Sequence, residues 1–326
     1  MRGAEMQGAE FQIPLAECRE IYSVGAVDRA MESGATSRNE SLVAYYEKMK
    51  QLGGVRYVVK PSSFDGLDPL YARCPNFAPV LDDLKRYLAL AVAGNEPMHF
   101  TPILLLGEPG IGKTHFAKQL ANVLGTGFEF VSMSSLTAGW ILSGTSSQWS
   151  HARPGKVAQA LVSGDYANPL LVLDEVDKAG GDPRYDPMGA LYGLLEQDTA
   201  RQFKDEFIEV DMDASHIMWV STANDERSIP DPILSRMNVY TVPRPDHDQA
   251  CAIARTLYGE ILAVHHWGFD EDAPEDVIDG LARVPPRDMR KVLMAAFGNA
   301  KLERRDHLLP ADLDAGRATR QKKIGF

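Results

Sequence analysis

Residues 101–114 read TPILLLGEPGIGKT, and no other stretch restricts the possible folds as tightly. The aliphatic run Ile103 to Leu106 breaks into Gly107-Glu108-Pro109-Gly110-Ile111-Gly112-Lys113-Thr114, which satisfies every fixed position of the phosphate-loop pattern G-x-x-x-x-G-K-[ST]. Glycines at these positions let consecutive backbone N–H groups turn inward around an anion, and a helix starting near Lys113 aims its positive end at the same point. Lys113 is expected to reach the β- and γ-phosphates, the Thr114 hydroxyl to hold Mg²⁺, and His115 to open the helix behind them. A glycine-rich turn that binds nothing is the alternative. The buried-looking strand before the loop and the amphipathic segment 115–124 behind it weigh against that.

Beyond the loop the chain alternates as a parallel α/β sheet does. Residues 127–133 (GFEFVSM) read as a strand, 152–164 contain a helix, and 168–178 (NPLLVLDEVDK) form the next informative run. There Leu170 to Leu173 and Val176 flank Asp174-Glu175, which sets two carboxylates just past a buried strand, where ligands bind in open α/β sheets. Asp174 is expected to help hold Mg²⁺ through a water, and Glu175 to orient and deprotonate an attacking water. Solvated loop acids, or a cap on the next turn, are the plainer reading of the same pair. A position roughly 60 residues beyond a phosphate loop favours the chemical one. HIMWVSTAN, 216–224, is a third strand ending in Asn224, placed to hydrogen-bond the γ-phosphate or the water unless it merely forms the turn before Asp225. Arg236 precedes a fourth strand at 239–242, and spacing alone does not say what it touches.

Upstream, residues 1 to about 40 are polar and rich in small residues, with one apolar stretch expected to dock. A helix is expected over 41–51, a short strand over 55–60, a turn-rich linker packing on the main domain over 61–77 and a helix over 79–93. Length suggests about two domains. The net charge of −11 disfavours a broad nucleic-acid surface, which needs clustered Lys and Arg. No run approaches the roughly 18 apolar residues of a membrane helix, and the acid-bearing start has no apolar signal core. Cys18, Cys74 and Cys251 have no metal-binding spacing, so a reduced cytoplasmic setting is expected.

The order of phosphate loop, LLVLDEVDK, STAN and ILSRM resembles the AAA+ ATPases. RPGKVAQAL, the run from LDEVDK through the acidic FKDEFIEVDMD to STAN, and IPDPILSRMNVY resemble more narrowly the ATPase module of Lon-type proteases, over about residues 80–300. The resemblance implies a P-loop α/β domain, a parallel sheet flanked by helices, over 79–245, and a small helical lid over 246–306. An N-terminal segment 1–78 of unmatched role precedes them and a basic tail 307–326 follows. It implies ATP and Mg²⁺ as cofactors, Lys113 and Thr114 in Walker A, Asp174 and Glu175 in Walker B, and Asn224 as sensor 1. Arg236 becomes an arginine finger acting on a neighbouring subunit's site, which implies a ring homo-oligomer, expected to be a hexamer. RVPPRDMRKVL, 283–293, resembles the sensor 2 helix with Arg287 as the sensor. Pro285-Pro286 depart from the family's glycine and small residue, which keeps Arg290 in contention.

Trp149-Ser150 occupy the place of the aromatic–aliphatic pair that grips polypeptide in a first pore loop, though Ser150 is not aliphatic, and Tyr185 falls where a second pore loop is expected. The segment after the lid is too short to fold a peptidase, and the implied enzyme is an ATPase that unfolds or remodels protein, served by a separate peptidase or adaptor. Two rivals stand beside it: a nucleic-acid-directed motor or loader, and a nucleotide-gated scaffold.

Overall fold

The computed structural model describes residues 15–33, 39–134, 138–149, 151–179 and 188–315. Ser150, Tyr185, residues 1–14 and the end of the basic tail from 316 lie outside them. Nine strands are described: β1 Leu15–Glu20, β2 Val55–Val59, β3 Ile103–Leu106, β4 Phe128–Ser132, β5 Leu170–Asp174, β6 Phe203–Lys204, β7 Asp211–Met212, β8 Met218–Ala223 and β9 Asn238–Thr241. A five-stranded parallel sheet runs β4-β5-β8-β3-β9. Residues 170–173 of β5 are an unbroken apolar run and are buried, as such a run must be in a sheet covered on both faces, and all of β8 is buried, its polar Ser221 and Thr222 included. The register pairs Ser132 with Asp174 and Leu173 with Ser221.

The chain packs as two compact units. The first comprises 1–66, 84–104 and 121–239; the second comprises 67–83, 105–120 and 240–326. In the first, the apolar stretch expected to dock supplies β1 and the helix Val24–Glu32. β1 and β2 pair antiparallel, and β2 docks by hydrogen bonds through Tyr57 to Asp165 and Ala167 and through Val59 to both ends of the buried Asn168 amide. Arg56 is 6% exposed, and such a cation tolerates burial only when its donors are used. It donates to the Leu161, Val162, Gly53 and Val55 carbonyls. The helix Glu40–Leu52 forms where its apolar spacing predicts, capped by Asn39 and ended by Gly53 at φ 67°.

The stretch 61–77, expected as a turn-rich linker packed on the main domain, forms short helical turns, with 61–66 in the first unit and 67–77 in the second. The helical turns Asp65–Leu67, Asp68–Arg73 and Pro75–Phe77 bury Leu67, Leu70 and Phe77, and the last two carry prolines in their first turns, where no N–H is missed. Phe77 stacks on Phe116 at 4.4 Å between ring centroids. The helices His247–Val264, Glu275–Ala282, Pro286–Leu302 and Pro310–Ala315 enclose a core centred on Phe297, whose ring lies 4.8–5.5 Å from those of Phe269, Tyr258 and Trp267. Leu308 and Leu313, within the stretch read as the start of the basic tail, belong to that core, and Arg305 grips the Asp312 carboxylate at 2.7 and 2.8 Å.

Candidate nucleotide-binding site

The second unit holds the phosphate loop. Gly110 and Gly112 sit at φ 84° and 103°, where a Cβ is strained, and a Cβ on Gly107 would stand 2.5 Å from the Val242 carbonyl oxygen. Lys113, 7% exposed, curls back over its own loop, its Nζ donating to the carbonyls of Gly107 at 2.6 Å and Glu108 at 3.0 Å. That places an ammonium where a bound phosphate chain would compete for it. Asn76 Nδ2 donates to the Ile111 and Pro243 carbonyls, and the Arg244 guanidinium pairs with the Glu108 carboxylate at 2.7 Å. A cleft of about 240 Å³ in this unit is lined by Pro109, Gly110, Arg244, Arg283 and Pro285, among others. Arg287 lies in the first turn of Pro286–Leu302, its Cδ and Cβ 3.5 and 3.6 Å from where a Gly110 Cβ would be. Arg290, one turn on, is felt electrostatically at His115. Desolvation of that imidazole, with the nearby Arg73, Lys118 and Arg290 cations, lowers its pKa against the pull of Glu260.

The first unit holds the acids. β5 and β8 run in register through Leu173 and Ser221, so the next residues on each, Asp174 and Thr222, meet. The Thr222 hydroxyl donates to Asp174 Oδ1 at 2.8 Å and accepts from the Glu175 N–H at 3.0 Å. Glu175 sits at φ 56°, a left-handed conformation uncommon outside glycine, and its carboxylate pairs with Lys178. Strained backbone of this kind persists where surrounding bonds over-determine it, here the Thr222 clasp. Asn224 follows the last residue of β8. Arg236 donates to the Pro232 carbonyl and pairs with Glu196 at 2.6 Å. Thr222, Lys178 and Glu196 escaped the sequence reading. Thr222 had a signal, since it lies two residues before Asn224 in the run 216–224 that reads as one strand, and alternate residues of a strand share a face. Glu196, far from Arg236 in sequence, had none.

Trp149 is 55% exposed, its ring edge-on to Trp140 at 5.6 Å. Its loop is closed at the base, where Thr145 N–H donates to the Arg153 carbonyl at 3.1 Å and Arg153 N–H to the Thr145 hydroxyl at 2.9 Å. Among the described residues there is no cluster of three or more His, Cys, Asp or Glu side chains able to hold a metal ion, and no helix long and apolar enough to cross a membrane.

Residues 103–243 match the ATPase family associated with various cellular activities (AAA), so the chain carries an AAA module, with which the parallel sheet and helical C-terminal region agree. The module is Lon-like. A Lon protease of Halothermothrix orenii is 36% identical over 196 residues, covering 59% of this chain and 25% of that protein. One from Frankia alni is 33% identical over 233 residues, covering 67% and 26%. The chain thus spans about a quarter of the length of these curated relatives. Among solved structures, the RuvB Holliday junction branch migration motor of Thermotoga maritima superposes with a TM-score of 0.49 at 14% identity, over 74% of this chain and 68% of that one.

Proposed function

We propose that the chain is an ATP-hydrolysing AAA+ motor that works as a homo-oligomeric ring, expected to be a hexamer, on polypeptide substrates. The observation that carries the nucleotide half is the loop itself: two glycines at positive φ and a lysine folded over the loop's own carbonyls, a cradle with its cation already in place. In this reading the backbone N–H groups of 107–114 and Lys113 bind the phosphate chain, while the cleft beside Arg244 and Pro285 takes the rest of the nucleotide. Glu175 takes the proton of the attacking water, Asn224 orients that water, and Arg287 answers the phosphates from the lid. Arg236 leaves Glu196 to reach a neighbouring subunit's site, as an arginine finger does.

The Thr114 hydroxyl and the Asp174 carboxylate are hard oxygen donors of the kind Mg²⁺ takes, and the Thr222 bond orients the second of them. When bound, that ion neutralises charge developing on the phosphate oxygens. The domain bounds proposed are 79–245 for the α/β part and 246–306 for the lid. The exposed aromatic Trp149 on a closed loop supports polypeptide as the substrate class, and the net charge of −11 disfavours nucleic acid. The test is phosphate release measured with Mg²⁺, alone and with reduced, carboxymethylated α-casein or single-stranded DNA added. Stimulation by casein that is lost in Trp149→Ala is expected. Stimulation by DNA alone, or by neither, would overturn the polypeptide reading.

A further inference from the structure

The loop that carries Trp149 rises from two glycines, and both meet one buried side chain. Asp205, 0% exposed, lies in the acidic run just after β6. Its Oδ2 accepts the Gly155 N–H at 2.7 Å, while Oδ1 accepts those of Phe207 at 2.9 Å and Ile208 at 3.2 Å. Gly144, at φ 80°, packs so closely on the same carboxylate that a Cβ there would stand 2.6 Å from Oδ1. Glu206 N–H donates to the Ser143 carbonyl at 2.7 Å beside it. A second hold comes from the N-terminal region. Asn39 uses both ends of its amide: Oδ1 caps the helix Glu40–Leu52 by accepting the Leu42 N–H at 3.1 Å, and Nδ2 donates to the Ser147 carbonyl at 2.7 Å, two residues before Trp149.

Resting on the reading of Trp149 as a substrate contact, we infer that Asp205 and Asn39 are positioning residues that together hold the Trp149 loop in its gripping conformation. Asp205 fixes the base of the loop and Asn39 ties its rising limb to the N-terminal helix. The segment before the α/β domain thereby acquires a role in substrate handling. Within the acidic run Asp205 serves as a buried anchor, while Glu206, Glu209 and Asp211 face solvent.

Two substitutions separate this from a loss of fold. Asn39→Asp keeps the cap acceptor for Leu42 but removes the donor to Ser147. Asp205→Asn keeps an acceptor for Phe207 and Ile208 but turns an amide N–H toward that of Gly155. Amide exchange read by mass spectrometry on the intact chain should speed up about ten-fold or more in the peptides spanning 144–155 for each variant, with β5 and β8 as protected as in the wild type. The ratio of casein-stimulated to basal phosphate release should fall toward one. Should Asp205→Asn not fold, Asn39→Asp alone decides between the outcomes. Unchanged exchange at 144–149 in Asn39→Asp overturns the inference. So does faster exchange that leaves the stimulation ratio intact. A wild-type chain that casein does not stimulate sinks instead the polypeptide reading on which the inference rests.

Discussion

In the proposed mechanism Glu175 is the residue on which hydrolysis turns. Its N–H is clasped by Thr222 in a left-handed backbone conformation, and its carboxylate is held by Lys178. Replacing it with Gln removes the base and keeps the shape. ATP binding should persist while phosphate release falls roughly two to four decades, measured under single-turnover conditions. Gly112 stands on the opposite logic: at φ 103° it is there for its backbone. Gly112→Ala should strain the loop by about 1–3 kcal/mol and weaken nucleotide binding accordingly, measured by titration of a fluorescent ATP analogue. The positions of both were legible in the sequence because their patterns are local, the one a glycine in a spaced motif and the other an acid just past an aliphatic strand. Arg236 was legible in type and not in contact, since its partner Glu196 is brought near only by the fold.

At the scale of elements, 168–174 was readable because a buried parallel strand is written as an unbroken apolar run, and 127–133, 216–224 and the helix behind the phosphate loop were readable from their apolar spacing. The helical turns within 61–77 were not. The prolines and small polar residues there signal turns, and whether turns link two bodies or pack into one depends on where Leu67, Leu70 and Phe77 find partners. β1 escaped for a related reason. It is an edge strand whose ladder depends on β2, 35 or more residues away. Two predictions belong here. Asp246 closes a capping box with Gln249 at the start of His247–Val264, so Asp246→Ala should cost about 1 kcal/mol in chemical unfolding of the chain. Asp205 ties β6 to the Trp149 loop. Burial lifts its carboxyl from an ordinary 3.8 to about 6, against the three backbone N–H groups that favour the ionised form, with Glu206 adding to the lift. A raised carboxyl pKa stabilises the fold below the ordinary value and loses that contribution as pH rises through about 6. The wild-type melting temperature should therefore fall relative to that of Asp205→Asn between about pH 4 and pH 7.

For the whole molecule, the proposed ring divides each hydrolytic site between neighbours. Lys113 and Glu175 come from one subunit and Arg236 from the next. Lys113→Ala and Arg236→Ala should each be inactive alone. Mixed in equal amounts they should regain turnover, because about a quarter of the interfaces in a randomly mixed closed ring pair an intact loop with an intact finger. No recovery on mixing would place Arg236 at its own subunit's site or outside catalysis. The central claim is the simplest one: the loop 107–114 holds a triphosphate that water cleaves under the direction of Glu175. Its most direct measurement is Mg²⁺-dependent phosphate release by wild type and Glu175→Gln, with ATP binding followed in parallel at concentrations that allow self-association. Binding by both proteins and release by the wild type alone is the expected result. Equal release by the two, or no nucleotide bound by either, would contradict it.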